Sequence, residues 1–298
     1  FAGAYNRGEN NTFIGALAGR FNSTGNRNTI VGSQAADNIV TTGSDNTALG
    51  FGSAHNIGSG SNNVYLGANA GFINQGSEGN VAIGSSALYS GTGGGNIAIG
   101  KIAMQLATSA SSNIAIGYAA AGGAQMTGSG NVIMGDAAGY SITSGSNNIL
   151  IGQNAGRSGS QTPQSMGAVI TASNEIQIGN ESHTNAMVQV AWTINSDGRD
   201  KTEIKELDLG LEFVNKLKPI TYKWDKRSKY EDLKPDGTHV EDELQVGFIA
   251  QDIIQLEKEY GYNIEDKTNL ATWESEDKYK VGLKHSNLIP SLVKAIQE

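Results

Sequence analysis

From residue 11 to residue 152 the chain repeats one short pattern: a polar Asn, three mostly apolar residues, then a Gly. The copies are Asn11-Thr-Phe-Ile-Gly15, Asn28 to Gly32, Asn46 to Gly50, Asn63 to Gly67, Asn80 to Gly84, Asn96 to Gly100, Asn113 to Gly117, Asn131 to Gly135 and Asn148 to Gly152. Successive glycines stand 17, 18, 17, 17, 16, 17, 18 and 17 residues apart. A drifted copy, Asn174-Glu-Ile-Gln-Ile-Gly179, follows a longer insertion. Apolar triplets at a fixed period predict a β-solenoid or β-roll with one short strand per coil. Asn and Gly both tolerate left-handed backbone, so they are expected to turn the chain at the two ends of each strand. At about 4.8 Å per rung, nine coils make a rod of roughly 43 Å.

After residue 190 the pattern changes. Leu207 to Leu217 carries apolar residues at helical spacing, and Pro219 stops it. Ile220 to Trp224 alternates like a strand, and Gln245 to Gln251 reads as a strand leading into a helix through Ile254 and Leu256. The last apolar run, Leu288, Ile289, Leu292, Val293 and Ile296, is one helix face, suited to bundling with copies of itself. The expected fold is therefore a mainly β repeat stalk followed by a smaller α+β domain that ends in a bundling helix.

Composition sharpens the boundary. Residues 1–190 carry 5 Lys+Arg and 7 Asp+Glu, against 16 and 22 in 191–298, while 34 of the 40 glycines lie in the first segment. Two domains are expected, 1–190 with a drifted last repeat at 163–190, and 191–298. A disordered tract does not need apolar triplets at a fixed period, and collagen needs Gly at every third position. A thin coil with so few large apolar residues buries little surface alone, so three chains side by side are expected to supply the missing core. A net charge of -8 disfavours a nucleic-acid partner. No apolar run approaches the ~18 residues of a membrane span, so no insertion into a bilayer is expected. No cysteine is present. The start at Phe1, without Met, reads as a piece of a longer protein.

Most candidate chemistry in the repeats dissolves on inspection. Gly95-Asn-Ile-Ala-Ile-Gly100-Lys101 nearly spells a phosphate loop, but Ile102 stands where Ser or Thr must reach magnesium. His55, His183, His239 and His285 are scattered, with no zinc-ligand spacing. Asn10-Asn-Thr12, Asn22-Ser-Thr24 and Asn180-Glu-Ser182 fit the glycosylation pattern, as chance alone would arrange in such a composition. Asp37 and Asp45 are the one close pair of acids in the repeats, and they read as solvated turn residues, not a glycan-cleaving pair. No metal or cofactor is expected.

Four motifs in the second half carry a resemblance. They are Ser196-Asp-x-Arg199-x-Lys201, Leu217-x-Pro219-x-x-Tyr222-x-Trp224, Gly247-Phe-Ile-Ala-Gln251 and the closing Leu288-Ile-Pro-x-Leu-Val-x-Ala-Ile-Gln297. In this order they resemble the C-terminal intramolecular chaperone of phage tail spikes and endosialidases, the peptidase S74 family. The repeats are similar to those of tail fibres and, more loosely, of trimeric adhesin heads. The resemblance implies a homotrimer in a virion tail, joined to other tail proteins and directed at a host surface receptor. It also implies a domain that drives trimerisation and then cuts itself off. Ser196 would be the nucleophile and Lys201 the base, with cleavage between Ser196 and Asp197. Ser-Asp-Gly is equally good turn chemistry, and Arg199 and Asp200 are either an ion pair positioning the dyad or surface charges. A lysine near its reference pKa of about 10.4 is no base, so burial or a nearby cation must depress it. A serine attacking its own carbonyl would close a strained four-membered ring, so the carbonyl attacked stays open. His285 departs from the family, where an aromatic is frequent. The competing readings are a cell-surface trimeric adhesin and a spike whose glycan-degrading activity lies upstream of Phe1.

Overall fold

The computed structural model describes the chain apart from residues 39–40, 158–168, 181, 184–185, 276–277 and 279, and the side chain of residue 228. The insertion before the drifted repeat, the Asn180-Glu-Ser182 tripeptide and part of 163–190 thus lie partly outside the described residues. Chain contacts divide it into two compact units, Phe1–Ser182 and His183–Glu298.

In the first unit each apolar triplet is a three-residue strand. These are β1 (Thr12–Ile14), β2 (Thr29–Val31), β3 (Thr47–Leu49), β4 (Val64–Leu66), β5 (Val81–Ile83), β6 (Ile97–Ile99), β7 (Ile114–Ile116), β8 (Val132–Met134), β9 (Ile149–Ile151) and β10 (Ile176–Ile178). They pair in sequence order as one ten-stranded parallel sheet. Equivalent repeat positions face each other, so Phe13 lies opposite Ile30 and Ala98 opposite Ala115. The unit is a β-solenoid, as the period predicts.

The motif glycines do turn the chain: all nine have φ between 116° and 141°. A Cβ on Gly15 would lie 2.6 Å from the carbonyl carbon of Gly32 in the next coil, so a side chain is excluded there by space as well as by φ. The motif asparagines behave differently from expectation. None has positive φ; the left-handed position is the residue before, as at Asn10, Arg27, Asp45, Asn62 and Ser112. The column forms a ladder, and from Asn28 on the motif Asn is buried. Its Oδ1 accepts the backbone N–H of the next motif Asn, at 2.8 Å for Asn11 to Asn28 and 2.9 Å for Asn131 to Asn148. Its Nδ2 donates to a loop carbonyl, as from Asn63 to Ser77 at 2.9 Å. A buried coil has backbone groups that no strand partner reaches, and the Asn amide satisfies one donor and one acceptor at once.

The interior closes within a single chain. The middle residue of each triplet points inward and meets an alanine column, Ala18, Ala35, Ala70, Ala87, Ala103, Ala120, Ala138 and Ala155, all fully buried. Volume is traded coil by coil. Where the middle residue is Tyr65 or Leu150, the position facing it is Gly71 or Gly156, and a Cβ there would sit 2.5 Å and 2.7 Å from those side chains. Where the middle residue is Ala82 or Ala98, the same position holds buried Leu88 or Met104. This corrects the expectation that one coil lacks a core; small residues, fully buried, fill it.

A column of larger side chains lines a turn. Arg20 Nε lies 2.8 Å from Asp37 Oδ1, outside hydrogen-bonding alignment, His55, Phe72 and Tyr89 stack at 4.5 and 4.9 Å, and the Arg157 guanidinium covers Tyr140 at 4.4 Å. Asp37 is therefore buried and paired, not solvated, because the neighbouring coil places Arg20 directly above it. Asp45 pairs with Arg27 at 2.6 Å at the surface, one coil away in the same manner. Neither acid is free to act on a glycan.

In the second unit, α1 (Leu211–Lys216) is shorter than the predicted Leu207–Leu217 helix. Gly210 precedes it, and Gly disfavours helix interiors by about 1 kcal/mol against Ala. Then come β11 (Ile220–Tyr222), β12 (Gln245–Gly247), α2 (Ala250–Glu259), β13 (Thr272–Glu274), β14 (Val281–Leu283) and α3 (Ile289–Gln297). β11 pairs antiparallel with β12, and β13 with β14. The core is small: Leu209, Phe213, Ile253, Leu256, Ala271 and Leu288, with Phe213 edge-on to Tyr260 at 5.5 Å.

Candidate functional site

The Ser196–Lys201 stretch is built on one turn. Gly198–Asp200 forms a single 3₁₀ turn, and Asp197 caps it by accepting from the Arg199 N–H at 2.9 Å. The turn folds the chain back on itself. As a result the Lys201 Nζ donates to the Ser196 Oγ at 2.6 Å, five residues earlier. The turn chemistry of Ser-Asp-Gly and the Ser–Lys contact are thus parts of one arrangement: the first makes the second.

Arg199 lies on Asp197, not on Asp200. Its Nη2 is 2.6 Å from Asp197 Oδ2, and its Nε 3.1 Å from both carboxylate oxygens. Successive residues of a 3₁₀ turn diverge around its axis, so adjacent side chains do not face each other. The Arg199 side chain, aided by the Arg199 N–H, holds the Asp197 carboxyl below the usual carboxylate range and is itself raised by it. The scissile-bond candidate therefore runs between a serine in contact with a lysine and an aspartate kept ionised.

Ser196 and Lys201 are both exposed in the single chain. An ammonium donating to a hydroxyl does not activate it; a base must be neutral. The contact supplies proximity and orientation.

The remaining motifs build the body that carries the turn. Pro219 follows α1, and Tyr222 stands edge-on to Trp224 at 5.2 Å. Gly247 lies opposite Ile220, and a Cβ there would be 3.4 Å from the Tyr222 ring. His285 is 6.4 Å from the Phe248 ring. Glu257 on α2 is a residue that sequence reasoning missed. It is 2% exposed and accepts from Leu270 N, Ala271 N and Thr272 Oγ1 at 2.9, 2.7 and 2.5 Å. The signal was available, since Glu257 sits four residues after Ile253 on the buried face of the helix. It anchors β13 and lies outside the Ser196 turn.

On α3, Ile289, Leu292, Val293 and Ile296 are exposed on one face, while Ser291, and Leu288 just before the helix, are buried. The C-terminal Glu298 accepts from Leu211 N at 2.7 Å, fastening α3 to the start of α1. Among the described residues, no group of His, Cys, Asp and Glu is arranged to hold a metal ion. No described helix is long and apolar enough to cross a membrane.

The chain is thus a parallel β-solenoid followed by a small α+β unit whose last helix, α3, carries an exposed apolar stripe. Residues 196–262 match the peptidase S74 family model, described as the chaperone of endosialidase. The match begins at Ser196 and spans the Ser–Lys turn, β11, β12 and α2. Together with the solenoid it fits a tail fibre with an endosialidase-type chaperone domain. No curated protein and no solved structure matches the chain.

Proposed function

We propose that this chain is the distal part of a bacteriophage tail fibre or spike. In this reading residues 1–190 form a host-attachment stalk, and residues 191–298 bring three chains together and then cut themselves free between Ser196 and Asp197. The observation that carries the reading is the 2.6 Å Lys201–Ser196 contact at the first residue of the segment matched to the chaperone family. The virion tail is the setting this implies, with other tail proteins and a host-surface receptor as partners.

Two uncovered faces support the trimer. Parallel sheets are normally covered on both sides, yet the outer face of β1–β10 presents two rows of side chains to solvent. One row runs Ile14, Val31, Leu49, Leu66, Ile83, Ile99, Ile116, Met134, Ile151 and Ile178; the other is Thr12, Thr29 and Thr47, then Val or Ile. The ends are open, with Ile14 and Ile178 about 60% exposed. The second face is the α3 stripe. Each aliphatic side chain fully buried between copies contributes about 1.5–3 kcal/mol. Three copies meeting on these faces keep like coils level, and α3 at one end fixes register in a repeat where a slip by one coil still matches apolar to apolar.

In the chemical step a neutral Lys201 amine takes the Ser196 hydroxyl proton as Oγ adds to a backbone carbonyl carbon. The leaving amide nitrogen takes that proton back, and water hydrolyses the resulting ester, restoring Oγ–H. Attack on its own carbonyl closes a four-membered ring and attack on the Asn195 carbonyl a five-membered one. The proposed cut between Ser196 and Asp197 is the first, with an N-terminal product that ends at Ser196; the second would break the Asn195–Ser196 bond and leave a product that ends at Asn195.

Native mass measurement tests the assembly. The Ser196→Ala chain is expected as an uncut trimer. Leu292→Glu/Ile296→Glu with Ser196 intact is expected as an uncut monomer. Efficient cleavage in that monomer would overturn the coupling of cleavage to assembly.

A further inference from the structure

Residues 188–196 read Val188-Gln-Val190-Ala-Trp192-Thr-Ile194-Asn-Ser196. Apolar residues alternate with small or polar ones at period two, the pattern of a strand with one buried face. In the single chain the segment forms no strand. Val190, Trp192 and Ile194 are 75%, 80% and 77% exposed, and Val188 is exposed as well. Among the described residues no backbone hydrogen bond joins 186–196 to any other segment. The stretch bends at Gln189 and Val190 and has no regular structure from Ala191 to Asp197; four uncovered apolar side chains and a backbone without partners in the other described segments make it an incomplete element.

The parity of the alternation reaches the reactive residue. Val188, Val190, Trp192, Ile194 and Ser196 share one face of an extended chain; Gln189, Ala191, Thr193 and Asn195 share the other. Whatever covers the apolar face therefore also covers the Ser196 Oγ, with the Lys201 Nζ held 2.6 Å from it.

We infer that residues 188–196 of three copies pair into one shared β-element with Val190, Trp192 and Ile194 turned to its axis, and that this packing encloses the Ser196–Lys201 contact. The inference rests on the proposed self-cleavage. A second copy of this chain is the occupant for two reasons. The α3 stripe of the same unit is uncovered in the same way, so trimer formation brings identical segments together. An identical strand also offers the same apolar face and the same parity, so three copies cover one another with no odd residue exposed. Ile194 and Trp192 then act as positioning residues. They touch no reacting atom, but they remove water from the amine, and removing water favours its neutral form. Asp197 and Arg199 on the same turn keep their pairing throughout. A monomer holds the nucleophile and the base together but wet, and only the trimer dries them.

The native chain has no cysteine, so single substitutions give a clean readout. In the Ser196→Ala background, which stays whole, Trp192→Cys and Ile194→Cys trimers treated with a short bismaleimide are expected to yield covalent dimers. Thr193→Cys and Asn195→Cys trimers are expected to yield none. Equal yields at both parities, or a position 194 thiol protected from labelling but never cross-linked, would overturn the shared element. With Ser196 intact, Ile194→Asn is expected to slow cleavage about tenfold at fixed pH, the change in neutral amine that one pKa unit gives. Ile194→Val is expected to cleave at the native rate, with both variants trimeric by native mass. An unchanged rate in trimeric Ile194→Asn would sink the positioning role. If the native chain itself never cuts, the self-cleavage reading fails, while the cross-linking parity still decides the shared element.

Discussion

In the solenoid the interior is a column of alanines, and the residues that vary are matched coil by coil, Tyr65 with Gly71 and Ala82 with Leu88. In the C-terminal unit the interior is a handful of large side chains, Leu209, Phe213, Ile253, Leu256 and Leu288, and several apolar residues, Trp192, Val246 and Ile296 among them, face solvent. The solenoid closes its own core and leaves a sheet face uncovered. The C-terminal unit leaves much of its apolar surface open, and in the proposed trimer other copies cover it. The solenoid's hydrogen bonds span 16 to 18 residues at every Asn-ladder step from Asn11 to Asn148. Such non-local contacts form slowly and without inherent register. A terminal unit that needs partners is suited to start a stalk that cannot easily start itself.

The largest expected effect comes from Ile253→Ala. Truncation of a buried Ile in a core this small costs about 2–5 kcal/mol, a large share of what a domain holds. The C-terminal unit is expected to lose its cooperative unfolding transition, and assembly with it, as read by circular dichroism and native mass. Asn80→Leu is the counterpart in the stalk. It leaves the Asn96 N–H without its partner and the Gly93 carbonyl with only the long 3.4 Å bond from Asn96 Nδ2. At about 1–3 kcal/mol per unpaired buried group, roughly 3 kcal/mol is expected in a denaturation series of the uncut trimer. If Asn80→Leu were neutral, the ladder would not be what holds the coils.

The matching of volumes makes a sharper test. Gly71→Leu is expected to destabilise by about 1–3 kcal/mol through overpacking against Tyr65. Tyr65→Ala/Gly71→Leu recreates the Ala82 and Leu88 arrangement of the next coil, and a coupling of about 1–3 kcal/mol is expected in the double-mutant cycle. The smallest effect is a gain. Ile102 is held at φ 55°, a conformation that strains a β-branched residue. Asn69 and Asn154 occupy the equivalent place at φ 56° and 58°. Ile102→Asn is expected to stabilise the stalk by about 1 kcal/mol, raising the denaturation midpoint.

The strand-per-coil fold was legible because the Gly of each repeat has one physical reading, a backbone with no room for a Cβ. The role of Asn was not, because the same residue is good both at turning a chain and at bridging coils. Its neighbours at the true left-handed position, Asn10, Arg27, Asp45 and Ser112, are too varied to signal it. Asp37 escaped for a related reason: its partner Arg20 lies one coil away, and only the period joins them. In the C-terminal unit the spacing of Ser196 and Lys201 was visible. The partner of Arg199 was not, since sequence offers acids on both sides and only the turn chooses Asp197. Glu257 stands on the buried face of α2, and nothing in the sequence points to the Leu270 and Ala271 N–H groups that hold it there.

The central claim is that the chain carries its own scissors, and intact mass measurement tests it most directly. Purified native protein of 31.1 kDa is expected to resolve into two pieces with the break at Ser196, while Ser196→Ala and Lys201→Ala remain whole under the same conditions. An uncut native trimer, or cleavage that persists in either variant, would contradict the account.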